Sequence, residues 1–299
     1  MDRDLLSHLP VVAAVARRRS FAAAAAELNL GASATSHAVR LVEERLGLPL
    51  FVRTTRSVSL TEAGEAFLQR AQPALDALRE AAEAVQAKKG QIGGVLRLNA
   101  PRTAMPLALT RIIRNLAVRH PELVIEVTTD DAAVDIVALG YDAGVRLGEM
   151  IAEDMVAVRL TPPFKAITVA SPAYLKASGE PRTIADLQKH NCIGYRLLTK
   201  DAVYAWELSH AGKDVAVQVR GTARVTDSLF ALDLALADVG IAYVFEPLAR
   251  RHIRSGDLRW ILPAAAIEEP GLFLYFPRGA SEAPKLRAFI DAARLRAGK

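Results

Sequence analysis

Cysteine is nearly absent from this chain: Cys192 is the only one in 299 residues. That excludes an intrachain disulfide framework and any multi-cysteine zinc or iron–sulfur site. Aromatic residues are scarce, at 6%. Long apolar runs are missing too, and stretches such as Phe21–Ala26 and Ile261–Ile267 fall far short of the ~20 residues a membrane span needs. The N-terminus lacks a basic segment leading into an apolar stretch and a small-residue cleavage site, so the expectation is a cytoplasmic protein with no membrane partner. None of the strings GxxxxGK(S/T), GxGxxG, HExxH or GxSxG occurs, and the six histidines (8, 37, 120, 190, 210 and 252) are scattered without metal-ligand spacing. These absences argue against an enzyme and call for no cofactor or metal, although a triad assembled from distant residues stays open. Wholesale disorder is excluded by an apolar content of 51%.

Lysine is absent from the first 60 residues, which instead hold eight arginines against five acids and so carry +3 of the chain's net +5. This segment is the better candidate for an anionic partner. Leu5, Leu9, Val12 and Ala16 are spaced four, three and four, which makes one apolar helical face. Ser20 is a natural N-cap for a second helix, Phe21–Leu28. Asn29-Leu30-Gly31 breaks that helix, and a third runs over about Ala32–Leu46 with Val39, Val42 and Leu46 inward and Gly47 closing it. Leu50–Leu60 alternates and is rich in Val, Thr and Ser, the pattern of a small two-stranded ribbon turning near Thr54–Ser57. Helix, helix, turn, helix and ribbon make a winged helix-turn-helix.

Thr61 can cap the next helix, predicted to reach about Lys89. Phe67, Ala71, Ala74, Leu78, Ala81 and Val85 are spaced 4, 3, 4, 3, 4, a 3.5-residue seam that asks for a partner helix and hence for a dimer. The competing reading is an ordinary amphipathic helix packed on its own domain. Pro73 inside the pattern calls for a kink or a late helix start. Gly90, Gly93 and Gly94 then make a hinge.

Beyond Val95 strands alternate with helices, including a strand at Val95–Ala100, a helix at Thr103–Arg119, a helix at Ala132–Leu139 and a strand at Val203–Leu208. Such alternation predicts a mostly parallel sheet covered by helices. Crossings near 161–165 and 268–272 would make two α/β lobes with a cleft between them. The predicted division is therefore 1–60 for the winged helix-turn-helix, 61–90 for the linker helix and 91–299 for the two-lobed region. Lobe I takes 91–163 and 270–299, and lobe II takes 164–269.

The motifs resemble the LysR-type transcriptional regulators. They are Ser20-Phe21 with Ala24-Ala25, Glu27 and Leu28; Ser33-Ala34-Thr35-Ser36-His37 running into Val39, Leu41, Glu43 and Leu46-Gly47; and Phe51-Val52-Arg53-Thr54-Thr55-Arg56 followed by Leu60-Thr61-Glu62-Ala63-Gly64. Leu96–Thr103 and Tyr141–Gly148 support them downstream. Ala32 stands where Gln often opens the recognition helix, His37 where Arg is frequent and Val42 where Leu is usual. The first two bear on DNA sequence preference and the third on packing.

The resemblance implies a periplasmic-binding-protein-like effector domain behind the DNA-binding head. It also implies a double-stranded promoter dyad as partner, a homodimer through 61–90 assembling further into a homotetramer, and a small organic effector, with an organic acid as the family-based guess. Ser33 and His37 are the candidates for base contact, Ser36 and Arg40 for phosphate, and Thr35 for either. Arg53 and Arg56, with Thr54 and Thr55 on the wing, would meet the minor groove or the backbone; otherwise the arginines are solvated loop residues. Arg17-Arg18-Arg19 suits the negative end of the first helix dipole better than DNA. Effector candidates are Pro101, Arg102, Thr103, Arg146, Leu147, Gly148, Asp227, Ser228 and Phe245. Thr103 and Ser228 each open a helix whose N–H groups suit an anion, and Arg102 or Arg146 could add a cation unless Arg146 pairs with Asp142, Glu149 or Asp135. Trp206 and Tyr204 read mainly as lobe packing. A free solute-binding protein would need a signal segment and no helix-turn-helix, and an architectural DNA-binding protein would leave two thirds of the chain idle.

Overall fold

The computed structural model describes residues 3–54, 57–87, 92–131, 134–152, 154–197 and 202–294. They fold as two compact units, one of residues 1–94 with 135–141 and the other of 95–134 with 142–299.

In the first unit, α1 (Arg3–Arg18), α2 (Phe21–Glu27) and α3 (Ala32–Leu46) enclose a core in which Val12, Val15, Ala24, Val39 and Val42 are wholly buried. The Ser20 hydroxyl accepts the Ala23 N–H at 3.2 Å and so caps α2. Gly47, at φ +69°, closes α3 in the left-handed conformation that glycine adopts without strain. The antiparallel wing β1 (Phe51–Arg53) and β2 (Val58–Leu60) pairs Phe51 with Leu60 and Arg53 with Val58. Its turn is closed by Thr54 N–H donating to the Ser57 carbonyl and Ser57 N–H donating to the Thr54 hydroxyl, both at 2.9 Å.

Helix α4 (Glu62–Ala87) begins at once, because the Thr61 hydroxyl accepts the Gly64 N–H at 3.0 Å. A Cβ on Gly64 would stand 2.2 Å from the Leu50 carbonyl oxygen, so the helix start and the wing meet where only glycine fits. The late start expected from Pro73 does not occur, and α4 continues on both sides of it. Its first half packs on the head core through Phe67, Leu68 and Leu75. Farther along, Leu78 and Val85 of the predicted seam are 68% and 63% exposed.

The second unit starts with β3 (Gly94–Ala100), a π-helical turn at Met105–Leu109, α5 (Thr110–Arg119), β4 (Leu123–Thr129), β5 (Ala143–Leu147) and β6 (Met155–Arg159). The chain then crosses to a second lobe. That lobe holds β7 (Phe164–Ala170), α6 (Pro172–Ser178), β8 (Gly194–Leu197), β9 (Ala202–Val203), β10 (Trp206–His210), β11 (Lys213–Val217) and β12 (Arg224–Val225). It continues with α7 (Ser228–Leu236), β13 (Ala242–Phe245), α8 (Glu246–Ser255), β14 (Arg259–Ile261) and β15 (Ile267–Glu269). A second crossing returns the chain to the first lobe through β16 (Leu272–Pro277) and α9 (Pro284–Arg294). The first lobe's sheet runs β4-β3-β5-β16-β6 and the second's is centred on β7 between β13 and β14.

Four details correct the sequence reading. The sheets are mixed rather than mostly parallel: β3 and β5 are parallel, but β16 is antiparallel to β5 and β6, and β13, β14 and β15 are all antiparallel to β7. The reason is topological. β13-α8-β14 reads as a parallel βαβ unit, yet β7 is inserted between its strands, and β16 arrives from the other lobe. Of the helix expected at Ala132–Leu139, the described residues 134–139 form none. Residues 132 and 133 lie outside the described residues, and the Asp135 carboxylate accepts the Val137 and Ala138 N–H groups at 3.0 Å, offering those amides a turn instead of a helix. The strand expected at Val203–Leu208 is broken into β9 and β10 by Tyr204 and Ala205, and the C-terminal helix begins at Pro284 rather than Ser281.

Candidate functional site

On α3, Ser33, His37 and Arg40 are exposed and spaced four and three, so they share one stripe of the helix, with Ser36 half-buried beside them. Arg40 donates to His37 Nδ1 at 3.3 Å, and its Nε stands 3.3 Å from Glu44. Thr35 is a correction: it is fully buried, its hydroxyl donates to the Gly31 carbonyl at 3.2 Å, and it belongs to the inward face. Thr54 is exposed at the wing turn, while Thr55 and Arg56 lie outside the described residues.

Arg53 has a role that the spacing did not show. Its guanidinium lies 4.1 Å from the Phe21 ring centroid and 3.8 Å from Glu43, whose other oxygen accepts the Leu50 and Phe51 N–H groups at 2.8 and 3.2 Å. One carboxylate thus fixes the wing and the arginine together, and Arg53 keeps part of its side chain in solvent. Arg17 and Arg18 both bind Glu27, Arg18 at 2.6 Å, so the basic run ties α1 to α2 besides facing the helix dipole.

The second unit holds a cavity of about 340 Å³ lined from both lobes, in the size range of small-molecule sites. Of the residues expected there, Pro101, Thr103, Arg146, Leu147, Ser228 and Phe245 line it. Arg102, Asp227 and Gly148 do not. The Asp227 carboxylate is engaged on both oxygens, one accepting the Leu229 N–H at 2.8 Å as the α7 cap and the other 2.6 Å from Arg102. Gly148 is a packing position, since a Cβ there would meet the Phe273 ring at 2.8 Å.

Arg146 is buried and donates to Asn99 Oδ1 at 2.6 Å and to the Val145 carbonyl at 2.7 Å. Burial lowers its pKa, against the pull of Tyr275, Asp130 and Asp131. Asp131 lies opposite Tyr195, whose hydroxyl donates to it at 3.0 Å across the lobes. Burial raises the Asp131 pKa and outweighs the hydrogen bonds from Tyr195 and the Arg102 N–H.

The largest omission of the sequence reading is the aromatic wall. Trp206 and Tyr243 stack at 5.6 Å and line the cavity together with Tyr195 and Tyr204, so Trp206 and Tyr204 face a ligand space as well as packing the lobe. Two acids, Glu207 and Glu269, line it as well. The only sequence signal was the aromatic alternation at 204 and 206; Tyr195, Tyr243 and Glu269 are brought there by pairing of strands distant in sequence.

Cys192 is buried, its Sγ lies 3.5 Å from the Leu187 carbonyl, and burial pushes its thiol up to about 12. The native protein is expected to be inert to a thiol-specific reagent at pH 8 and to react stoichiometrically once unfolded. Rapid labelling of the native chain would contradict this burial.

Two family models match the chain: a bacterial regulatory helix-turn-helix protein of the lysR family over residues 6–65, and the LysR substrate binding domain over residues 89–297. An uncharacterized HTH-type transcriptional regulator of Escherichia coli K12, YcaN, is 36% identical over 278 residues, 93% of this chain and 91% of that one. A putative transcriptional regulator of Pseudomonas aeruginosa is 35% identical over 291 residues, 97% of this chain and 94% of its own. Among solved structures, a full-length AphB variant superposes with a TM-score of 0.71 at 21% identity, covering 98% of this chain and 99% of that one. CrgA of Neisseria meningitidis superposes with a TM-score of 0.60 at 24% identity, covering 99% of each chain.

Proposed function

Because the chain belongs to the LysR family of bacterial transcriptional regulators, a family of DNA-binding proteins and not of enzymes, we propose that it is a ligand-responsive, sequence-specific regulator working in the cytoplasm. A small-molecule effector binds in the interlobe cavity and changes the geometry with which the heads hold a promoter. The observation that carries this reading is the 340 Å³ cavity lined from both lobes, in a chain whose α3 presents Ser33, His37 and Arg40 outward as one stripe.

The heads work in pairs, joined through 61–90 and assembled further into a tetramer, so that α3 of each enters the major groove of one half-site. Ser33 and His37 read base edges. Ser36, Arg40, Arg53, Arg56 and the wing threonines, Thr54 and Thr55, hold the backbone. Arg102 to Asp227 at 2.6 Å and Tyr195 to Asp131 at 3.0 Å bridge the lobes. An effector shifts the protein between arrangements only through unequal affinity for them, and these bridges are the groups whose making or breaking changes with lobe separation.

The test is selection of bound genomic fragments by the purified protein, followed by footprinting. A regulator of this kind recovers one or a few intergenic sites with an interrupted dyad. Recovery of bulk DNA alone would return the N-terminal unit to non-specific binding. Replacing Arg53 and Arg56 by Ala is expected to weaken binding on every duplex. Each phosphate that these arginines neutralise should then drop out of the log–log salt slope, reducing it by about 0.9. An unchanged slope in a salt titration would remove both residues from the interface.

A further inference from the structure

We propose that the effector is an uncharged ring compound, a flat apolar body carrying one hydroxyl or carbonyl oxygen, held at that oxygen by the side chains of Thr103 and Ser228. This rests on the reading of the interlobe cavity as the effector site.

The place of the oxygen follows from two hydroxyls. Thr103 is 5% exposed and lines the cavity, and its hydroxyl makes no hydrogen bond among the described residues. A buried polar group without a partner costs free energy that a matching ligand atom restores. Ser228 on the opposite lobe is half-buried and lines the same cavity, and its hydroxyl is likewise unpartnered among the described residues. Each directly follows a member of the Arg102–Asp227 pair, whose 2.6 Å contact joins the lobes, so the two hydroxyls flank one junction. A hydroxyl both donates and accepts. The pair therefore takes a ligand carbonyl or hydroxyl from both lobes at once and asks for no charge.

The groups that would hold a charged end are engaged by the protein itself. Asp227 accepts the Leu229 N–H at 2.8 Å and holds Arg102, and Asp131 accepts the Arg102 N–H at 3.2 Å and the Tyr195 hydroxyl at 3.0 Å. The next amides turn inward, Ala104 to the Pro101 carbonyl at 2.9 Å and Met105 to the Arg102 carbonyl at 3.2 Å, and Pro106 has no N–H to give. Arg146 donates to Asn99 Oδ1 and to the Val145 carbonyl. Glu269 is buried and has a partner within the protein, while Glu207 is exposed. A carboxylate or an ammonium entering here would give up its hydration and meet only counter-charges that already have partners.

The body follows from the wall. Trp206 and Tyr243 stack at 5.6 Å with their planes 20° apart. The Tyr243 hydroxyl donates to the Glu207 carbonyl at 2.8 Å and the Tyr195 hydroxyl to Asp131, so both phenols direct their polar ends to the protein and leave ring surface for a ligand. Leu147, Ile193, Phe245 and Leu272 extend the apolar lining. In about 340 Å³ such a wall favours a flat ring, through offset or edge contacts, over a flexible chain.

The experiment uses the full-length protein and probes matched in size: 2-phenylethanol, phenylacetate, 2-phenylethylamine, ethylbenzene and hexanol. Binding is read by calorimetry and ligand-observed NMR at near-millimolar concentrations, where molecules of this size register in a matching pocket. The alcohol 2-phenylethanol is expected to bind about fivefold or more tighter than each of the other four. In the Thr103→Val, Ser228→Ala double variant it should fall to the level of ethylbenzene, whereas Thr103→Ser, which keeps a hydroxyl, should preserve the margin. Ser228→Phe, which fills the cavity, should abolish binding of every probe. Binding that survives Ser228→Phe lies elsewhere and would overturn the effector-site reading. Probes that Ser228→Phe does block, but with phenylacetate or 2-phenylethylamine tightest, or with ethylbenzene or hexanol equal to 2-phenylethanol, would overturn the ligand class alone and keep the cavity as the site. If no probe binds, both fall.

Discussion

Leu78→Glu is expected to leave the protein monomeric and to weaken its hold on a two-half-site duplex by about a hundredfold or more, while binding to a single half-site changes little. In the single chain Leu78 is 68% exposed and Val85 63% exposed, in the half of α4 that lies beyond the packing of Phe67, Leu68 and Leu75 on the head. A glutamate at 78 therefore costs the isolated chain almost nothing, since Glu and Leu have similar helix propensities. In a paired seam the same carboxylate is buried without a partner, which costs several kcal/mol. The seam is otherwise poor, with alanine at 71, 74 and 81, so little else compensates. Loss of the dimer removes the intramolecular second binding event, and linking two modules raises affinity by roughly 10²–10⁴. Light scattering reads the oligomer and gel shifts on one- and two-site duplexes read the affinity. An unchanged oligomer would place the assembly contact elsewhere than the 3.5-residue seam.

Asp142→Ala should produce the largest loss of stability. Lys285 on α9 is 2% exposed, with its ammonium 2.8 Å from Asp142 and 3.1 Å from the Val95 carbonyl, and the second Asp142 oxygen accepts the Arg97 N–H at 2.7 Å. This one carboxylate joins the start of β3 to the C-terminal helix. Removing it takes the carboxylate counter-charge from a buried ammonium, at a cost of about 3–5 kcal/mol. For a unit of this size that is a fall of about 6–20 °C in the midpoint of the 95–299 transition, measurable by calorimetry. Adding Lys285→Met should recover much of the loss, because the apolar chain fills the site and needs no counter-charge. The Arg97 amide remains without its acceptor, so recovery stays incomplete. A double variant no more stable than Asp142→Ala would mean that the damage came from the β3 amide and not from the buried ammonium.

The head was legible because its signals are local. Ser20 as a cap, Gly47 as a helix stop, the Thr54–Ser57 turn and the Val12, Val39 and Val42 faces each depend on residues within a few positions of one another, and each appears in the structure. Thr35 was misread on the same helix because a residue at the edge of the apolar stripe can face either way. Its burial is decided by the packing of α1 and α2 around it and by the Gly31 carbonyl that takes its hydroxyl.

The cleft was legible only as a place. The alternation of strands and helices and the two crossings indicated lobes, and six of the nine residues assigned to the cavity do line it. Their chemistry came out differently, because whether a helix start or an arginine is available to a ligand depends on what faces it from another part of the chain. Asp227 lies 125 positions from the Arg102 it holds, and Glu269 lies 62 positions from Glu207, with which it shares the cavity. Sequence alone determined the winged head and the family, because periodicity, capping and motif spacing are properties of neighbouring residues. The tertiary structure alone decided the antiparallel insertion of β7, the burial of Thr35 and Lys285, and the pairing of Arg102 with Asp227. Strand pairing and desolvation bring together groups whose separation along the chain carries no trace of their contact.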